Sequence, residues 1–528
     1  MSTRRSWLAL ALAQATVLWL PRSAWSQLRW PENPFQAGVA SGSPGTDSVV
    51  LWTRLVQTQP EHAAALRSAG VQTVHWELAE DTQFRQILRR GQALADPALA
   101  HAVHVEVGGL EPDRWYHYRF LAGAAVSPVG RTRTLPGPQA AVARWRMAYA
   151  SCQKWEDGFF SAWRHLLDED VDAVLFLGDY LYEYPGTGSR VRQPSGGWVL
   201  TLDDYRRRYA QYKSDPDLQA AHQACPWILG WDDHEVQNDY AGVHPGYSGT
   251  RDPALPGDFA QRRSAAYQAW YEHMPLRAST LARAAGGVSV RVHDRLLIGR
   301  LASLHLLDGR QFRDAPVCTR DGLPGSSTVR PEQCPAWMDT RRSMLGEAQE
   351  RWLEQSLATA DTRDRVWSLV GQQTVFGQRD FRPGPGQVLT NDGWDGYAAA
   401  RSRLTDALQR HQAPNPVFLG GDVHANWVGQ VKADYARPDS AAVGVEFCGT
   451  SITSRGGGNA QTAQRLAENP HFLFADAQEH GYGVAEFTPT QLRTRLRVVD
   501  DVTQRDTRIR TLAAFEVLPG RAAVTRTA

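Results

Sequence analysis

Ala173-Val174-Leu175-Phe176-Leu177-Gly178-Asp179-Tyr180-Leu181-Tyr182 is the stretch on which the fold of this chain turns. Five apolar residues read as a short strand. The run ends at Gly178, and a carboxylate follows at once. A phenol comes three residues later, at Tyr182, close enough in a tight loop to reach the same cation. The plainer alternative is that Asp179 caps a helix and Tyr182 belongs to the core. Working outward, the arrangement recurs. Ser151-Cys152-Gln153 follows the apolar run Trp145–Ala150. Trp231-Asp232-Asp233-His234-Glu235 follows Trp227–Leu229, and Gly421-Asp422-Val423-His424 follows Val417–Leu419.

Further strand candidates are Leu296–Leu307, Val366–Val370 and Val443–Phe447. Helix candidates alternate with them, as at Phe159–Glu169, Phe259–Met274 and Gly346–Ala358. The order predicts a central sheet packed by helices. Ligands in open α/β sheets bind at the carboxyl ends of strands. Four such ends bearing Cys, Asp, Tyr and His therefore predict one polar site.

The residue types narrow its chemistry. Phenolate and ferric iron are both hard, and Tyr is an iron ligand elsewhere. Asp232 and Asp233, adjacent acids after a buried run, are costly to bury without a cation, although a surface loop would also hold them. A metal there leaves His234 to act on substrate. Gly420 and Gly421 let the backbone pass close to a ligand, and Asp422 and His424, two apart, point the same way from an extended chain. A metal would favour the thiolate of Cys152. A buried structural Cys and a nucleophile are the other readings, and no base and orienter pair accompanies it.

The rest of the chain sets the context. At 528 residues it is too long for one core, since cores stop growing at about 250–300 residues. Residues 35–138 read as all-β, with strands at Ser48–Thr53 and Thr73–Leu78. Leu110–Phe120 reads as a turn into a strand like the late strand of a fibronectin-type sandwich, where a Tyr packs at the corner. Leu135-Pro136-Gly137-Pro138 is the expected linker to a second domain over residues 145–510. Residues 1–26 read as a cleaved leader: Arg4-Arg5 resembles a twin-arginine signal, the apolar run Leu8–Leu20 is short for a membrane span, and Ala24-Trp25-Ser26 suits cleavage. The mature chain then reaches the periplasm or the exterior by the twin-arginine export machinery, with no later membrane span. The net charge of +1, with no Lys/Arg-rich block, gives no nucleic-acid-binding patch. Among five cysteines, Cys318 and Cys334 flank a polar loop that a disulfide could close in an exported protein.

Taken together, the motifs resemble the PhoD-like alkaline phosphatase family of the metallophosphatase superfamily, related to purple acid phosphatases through the Asp-x-x-Tyr pattern. The resemblance spans about residues 35–510. It rests on Ala150–Gln153, Gly178–Tyr184, Trp231–Asn238, Leu307–Arg313, Trp394–Tyr397, Gly421–His424 and Gly449–Ser454. It implies an α/β metallophosphatase domain, a central β-sandwich flanked by helices, behind a fibronectin/Ig-like N-terminal domain. It implies Fe(III) held by Cys152, Asp179, Tyr182 and His424. It also implies Ca(II) bridged by Asp179 and completed by Asp233 and Asp422, with Asn238 a weaker candidate. His234 would serve the leaving-group oxygen, and an activated hydroxide would attack phosphorus in line. Arg310 and Arg313 are candidates for phosphate contact or for surface ion pairs. The loop Pro316–Pro335 departs from the family pattern. The implied enzyme hydrolyses phosphate esters. Two alternatives stand beside it: a phosphodiesterase on the same scaffold, phospholipase D-like and acting on phospholipid, and an inactive envelope binding protein.

Overall fold

The computed structural model describes residues 30–186, 190–246, 258–284, 287–437 and 439–528. The leader expected over residues 1–26 lies outside them. Two large sheets form the centre. The first has ten strands, in the order Thr525–Arg526, Ile509–Val517, Leu492–Val499, His480–Phe487, Trp145–Ala150, Ala173–Phe176, Trp227–Leu229, Val39–Gly42, Val49–Arg54 and Ala102–Val107. The second has seven: Asp294–Ile298, Ala302–Leu306, Trp367–Gly371, Pro416–Gly420, Ala442–Cys448, Asn426–Lys432 and Phe472–Asp476.

Each sheet has a parallel centre. Trp145–Ala150, Ala173–Phe176 and Trp227–Leu229 run together, as do Ala302–Leu306, Trp367–Gly371, Pro416–Gly420 and Ala442–Cys448. These strands are apolar runs because both faces are covered. Leu175, Phe176, Ile228 and Leu229 of one sheet share a core with Leu304, Leu306, Leu369 and Leu419 of the other, so the sheets stack as a sandwich. Helices cover the outside. Leu202–Lys213 starts from a capping box between Thr201 and Asp204, and it packs on Phe259–His273, whose N-terminus Asp258 caps. Among the described residues, no helix is long and apolar enough to cross a membrane.

The N-terminal region is a β-structure with one short α-helix, Pro60–Ser68. Its own five-stranded sheet is built from Gln72–Ala79, Ile87–Ala95, Trp115–Ala122, Ala125–Val126 and Gly130–Arg133. That sheet closes on Val39–Gly42, Val49–Arg54 and Ala102–Val107 around Val49, Leu51, Val103, Tyr118 and Phe120. Tyr116 makes the expected corner, its hydroxyl accepting from Glu111 N at 3.0 Å. The three closing strands are also the end of the ten-stranded sheet, joined where Gly42 pairs with Trp227. Their other face is fastened to helices: Trp52 Nε1 donates to Glu272 O at 3.1 Å, and Lys213 Nζ lies 4.6 Å from the Trp52 ring. The linker at 135–138 thus separates regions of sequence that share a sheet.

One expected strand is two. Leu296–Leu307 folds as the hairpin Asp294–Ile298 and Ala302–Leu306, because Gly299 turns the chain at φ 51°. Cys318 and Cys334 are joined in a disulfide, while Cys152, Cys225 and Cys448 are free and buried.

Candidate active site

Every strand end singled out in the sequence arrives at one place. Cys152 follows Trp145–Ala150, Asp179 follows Ala173–Phe176, and Asp233 follows Trp227–Leu229 in the first sheet. Asp422 and His424 follow Pro416–Gly420 in the second. The two sheets meet here through a bridge between Ser151 and Ser451. Gly178, at φ 127°, lets two loops touch, since a Cβ there would collide with the backbone of Asp232. Glu235 then ties those loops: its carboxylate accepts from the backbone N–H groups of Asp179 at 3.0 Å, Tyr180 at 2.6 Å and Asp232 at 2.8 Å.

The backbone is bent at the site itself. Cys152, Asp179, Asp422 and His424 have φ of 60°, 58°, 67° and 51°. Such residues cost on the order of 1–3 kcal/mol each and persist where their surroundings force them. This corrects the extended reading of Asp422 and His424. Val423 N bonds Gly421 O at 2.8 Å, the chain turns, and the two side chains diverge. His424 faces Tyr182, and Asp422 faces the acids.

On the first side, the Cys152 thiol donates to Asp179 Oδ2 at 3.5 Å. The Tyr182 hydroxyl lies 3.1 Å from both Asp179 Oδ2 and His424 Nε2, and Ser454 Oγ donates to it at 2.7 Å. His424 Nδ1 bonds Arg455 O at 2.8 Å, which turns Nε2 inward. On the second side, Asp179, Asp232, Asp233 and Asp422 offer carboxylate oxygens all within 4.8 Å of one another. Asp179, Asp233 and His234 form an overlapping set. His234 Nδ1 lies 2.7 Å from Glu183 Oε2, whose other oxygen accepts from Asn238 N at 2.8 Å.

The charges show what the site is suited to hold. Burial, with Asp179 and Asp422 adding to it, raises the pKa of the Cys152 thiol well above its ordinary value. Burial does the same to Asp179, against the pull of His234, and to the Tyr182 phenol. Burial lowers His424 to about 4 and raises Asp422 to about 6. Burial also opposes charge on His234, yet Asp179, Glu183 and Asp233 raise it well above the usual imidazole range. Asp232 Oδ2 is buried with no hydrogen-bond partner. A thiol, a phenol, an imidazole and four carboxylates packed in one dry place form a donor set of the kind that cations take. The donor set fits metal ions, and Asp179 stands between its two halves.

Arg310 and Arg313 are not on the surface. Arg310 is 1% exposed, with Nε on Asp232 Oδ1, Nη1 on Asp392 Oδ1 at 2.7 Å, and Nη2 3.6 Å from Asp233 and 3.8 Å from Asp422. Arg313 binds Asp392 Oδ1 at 2.8 Å and Tyr240 O at 2.9 Å. Both guanidiniums are buried and held mainly by protein acceptors, which corrects the expectation of surface ion pairs. Sequence reasoning gave no role to Glu183, Glu235, Asp239, Asp392 or Ser454. Glu235 stood in the quoted acidic run. Asp239 and Asp392 carry no local signal, because only the fold brings them to the site.

Strand-end donors of this kind, set between two stacked α/β sheets, make a candidate metal site. The model described as PhoD-like phosphatase matches residues 147–496, and that of the PhoD-like phosphatase N-terminal domain matches residues 22–136. Alkaline phosphatase D of Bacillus subtilis (strain 168) is 42% identical over 491 residues, covering 91% of this chain and 80% of the relative. A solved structure described as the structure of PhoD superposes with a TM-score of 0.86 at 39% identity, covering 95% of this chain and 94% of the other. The chain belongs to the PhoD-like phosphatase family.

Proposed function

We propose that this protein is an exported alkaline phosphatase of the D type, with iron and calcium in its site. Cys152, Asp179, Tyr182 and His424 would hold Fe(III). Asp179, Asp233 and Asp422, with Asn238 as a further candidate, would hold Ca(II), an ion that takes oxygen ligands. The observation that carries this reading is the placement of thiol, phenol and imidazole on one side of Asp179 and carboxylates on the other. When bound, the metals supply a water nucleophile at neutral pH and neutralise the phosphoryl oxygens.

The chain's own groups do the rest. His234, held charged by Asp179, Glu183 and Asp233 against the cost of burial, has Nδ1 committed to Glu183. Its Nε2 is the atom left to protonate a departing ester oxygen. Ser454 and Asp179 fix the Tyr182 phenol, and Glu235 fixes the loops of Asp179 and Asp232. Arg310 spaces the acids, and we assign it and Arg313 to positioning rather than to phosphate. Substrates are phosphate monoesters or diesters, phospholipids included. Arg4 and Arg5 support export through the twin-arginine route, after metals are loaded inside the cell.

The test is elemental analysis of protein taken from its native export route, with a panel of mono- and diesters. Iron, calcium and ester hydrolysis are expected together. Tyrosinate on Fe(III) gives a visible absorption band, which Tyr182→Phe should abolish. An unchanged spectrum and iron content in that variant would remove Tyr182 from the iron site. A protein with metals and no activity on any ester would favour the binding-protein alternative.

A further inference from the structure

The side of the cluster that carries His234 continues into an aromatic wall. The Tyr182 ring centroid lies 4.1 Å from that of His234, and Tyr184 meets His234 edge-on at 5.4 Å. Trp198 follows, 6.1 Å from Tyr184. Tyr184 and Trp198 are half-buried, so each keeps part of its surface open to solvent. Lys154 Nζ lies 5.0 Å from the Tyr184 ring and 5.6 Å from the Tyr182 ring. Its carboxylate partner, Asp157 at 3.6 Å, is divided with Arg455, whose Nε is 3.5 Å away and whose side chain is 51% exposed. Arg455 O holds His424 Nδ1, so this cationic pair is fastened to the cluster.

The position of the wall gives it meaning. If His234 protonates the departing oxygen, the leaving group lies on the His234 side of phosphorus. The next protein surface there is two rings and a cation. Aromatic rings that keep part of their surface open to solvent can stack on planar groups, and a Lys beside them takes negative charge.

We propose that Tyr184 and Trp198 form a leaving-group subsite for a planar aromatic group, and that Lys154 and Arg455 receive a second negative charge on that group. The chemistry shared by its natural ligands is a phosphoester whose alcohol carries a planar aromatic ring, as the base of a nucleoside phosphate or the ring of an aryl phosphate. In the reaction, water loses a proton to solvent as its oxygen joins phosphorus, the ester P–O bond breaks, and the leaving oxygen takes a proton through His234, which solvent replaces. The subsite rests on the functional reading above, because it uses that direction of departure.

The experiment compares KM values of the metal-loaded protein and its Trp198→Ala, Tyr184→Leu and Lys154→Met variants. The substrates are 4-nitrophenyl phosphate, AMP, adenosine 3′,5′-bisphosphate and glycerol 3-phosphate. Trp198→Ala and Tyr184→Leu should raise KM for the aromatic esters about 5–150-fold more than for glycerol 3-phosphate, the range of one lost stack. Lys154→Met should abolish the preference for the bisphosphate over AMP. Calorimetry with adenosine, which has no phosphate to cleave, should show binding that Trp198→Ala weakens. A loss that includes AMP assigns the wall to nucleosides, and one confined to the nitrophenyl ester assigns it to aryl alcohols. Equal losses on glycerol 3-phosphate and the aromatic esters would overturn the subsite. No turnover of any ester by the parent protein would instead overturn the phosphatase reading.

Discussion

On one side of Asp179 lie Cys152, Tyr182 and His424; on the other lie Asp232, Asp233 and Asp422. Among the described residues, arginine meets the first side only through backbone groups: Arg455 through its own carbonyl on His424, and Arg208 through the carbonyl of Tyr182. Burial holds its thiol and phenol protonated and its imidazole neutral. The second side has an arginine at its centre: Arg310 and His234 outweigh burial and lower Asp233, and Arg310 with Arg313 likewise lowers Asp392. The difference teaches how one buried site tolerates so many ionisable groups. One half stores protons that a metal must displace, so its affinity should rise with pH. In the other half the guanidinium keeps Asp233 charged, while burial still raises Asp232 and Asp422.

Changing Asp179 should break both halves at once and gives the largest effect. Asp179→Ala should lose iron and calcium and all ester hydrolysis. Asp233→Ala should lose calcium and keep iron, and calcium chelation of the parent protein should reproduce it, with partial rescue on adding calcium back. Metal analysis reads all three. If Asp233→Ala loses iron and keeps calcium, the two halves are assigned the wrong way round.

His234 touches both Asp179 and Glu183 and tests the division between metal and proton roles. His234→Ala should keep its metals and lose about 10²–10⁴-fold in kcat, the usual range for a general acid. The loss should be least on nitrophenyl esters, which leave without help. An equal loss on poor and good leaving groups would take the proton role from His234.

Arg310 separates the halves by stability. Removing one partner of a buried ion pair costs about 3–5 kcal/mol. Arg310→Met should therefore lower the unfolding free energy of chelated protein by that order, and calcium should restore part of it. Tyr182→Phe should leave the stability of chelated protein nearly unchanged. Equal destabilisation by both substitutions would show that the two halves are not balanced differently.

Those contrasts also explain what the sequence could say. The runs at 145–150, 173–177, 227–229 and 417–419 were legible because strands buried on both faces are apolar throughout, and their polar punctuation marks the strand ends. The final strands at 480–487, 492–499 and 509–517 are absent from the strand candidates above. They interleave charge with apolar residues, as in Leu492-Arg493-Thr494-Arg495-Leu496, the pattern of a strand with one face exposed, and they form no apolar run of the kind that marks the buried strands. The hairpin inside 296–307 was hidden because one glycine decides it. At the site, residues that follow a strand were found, and residues delivered by long loops were not. Asp392 reaches Arg310 across 82 positions of sequence, and no spacing rule carries that far.

Asp239 shows the same limit and leads to the smallest effect. Its backbone N–H donates to Asp233 Oδ2 at 2.6 Å, so its peptide orients an acid of the cluster. Its own carboxylate accepts from Ser326 N at 3.0 Å and Ser326 Oγ at 2.7 Å. Ser326 lies within the loop closed by Cys318 and Cys334, and the next residue, Ser327, donates its N–H to Asn391 Oδ1 at 2.6 Å beside Asp392. The disulfide therefore braces both long loops that feed the acid side and neither donor of the other side. Partners of metal-binding groups are typically worth about 10–100-fold in affinity or activity. Ser326→Ala should weaken calcium binding by about that factor and leave iron content unchanged, Ser326→Thr should recover most of it, and excess calcium should restore turnover. The double variant Cys318→Ser/Cys334→Ser should act in the same direction without touching Cys152. Titrating activity against free calcium reads each case. A double variant with parental calcium affinity would show that the loop holds its place without the bridge, and a loss of iron would place the brace on the wrong half of the site.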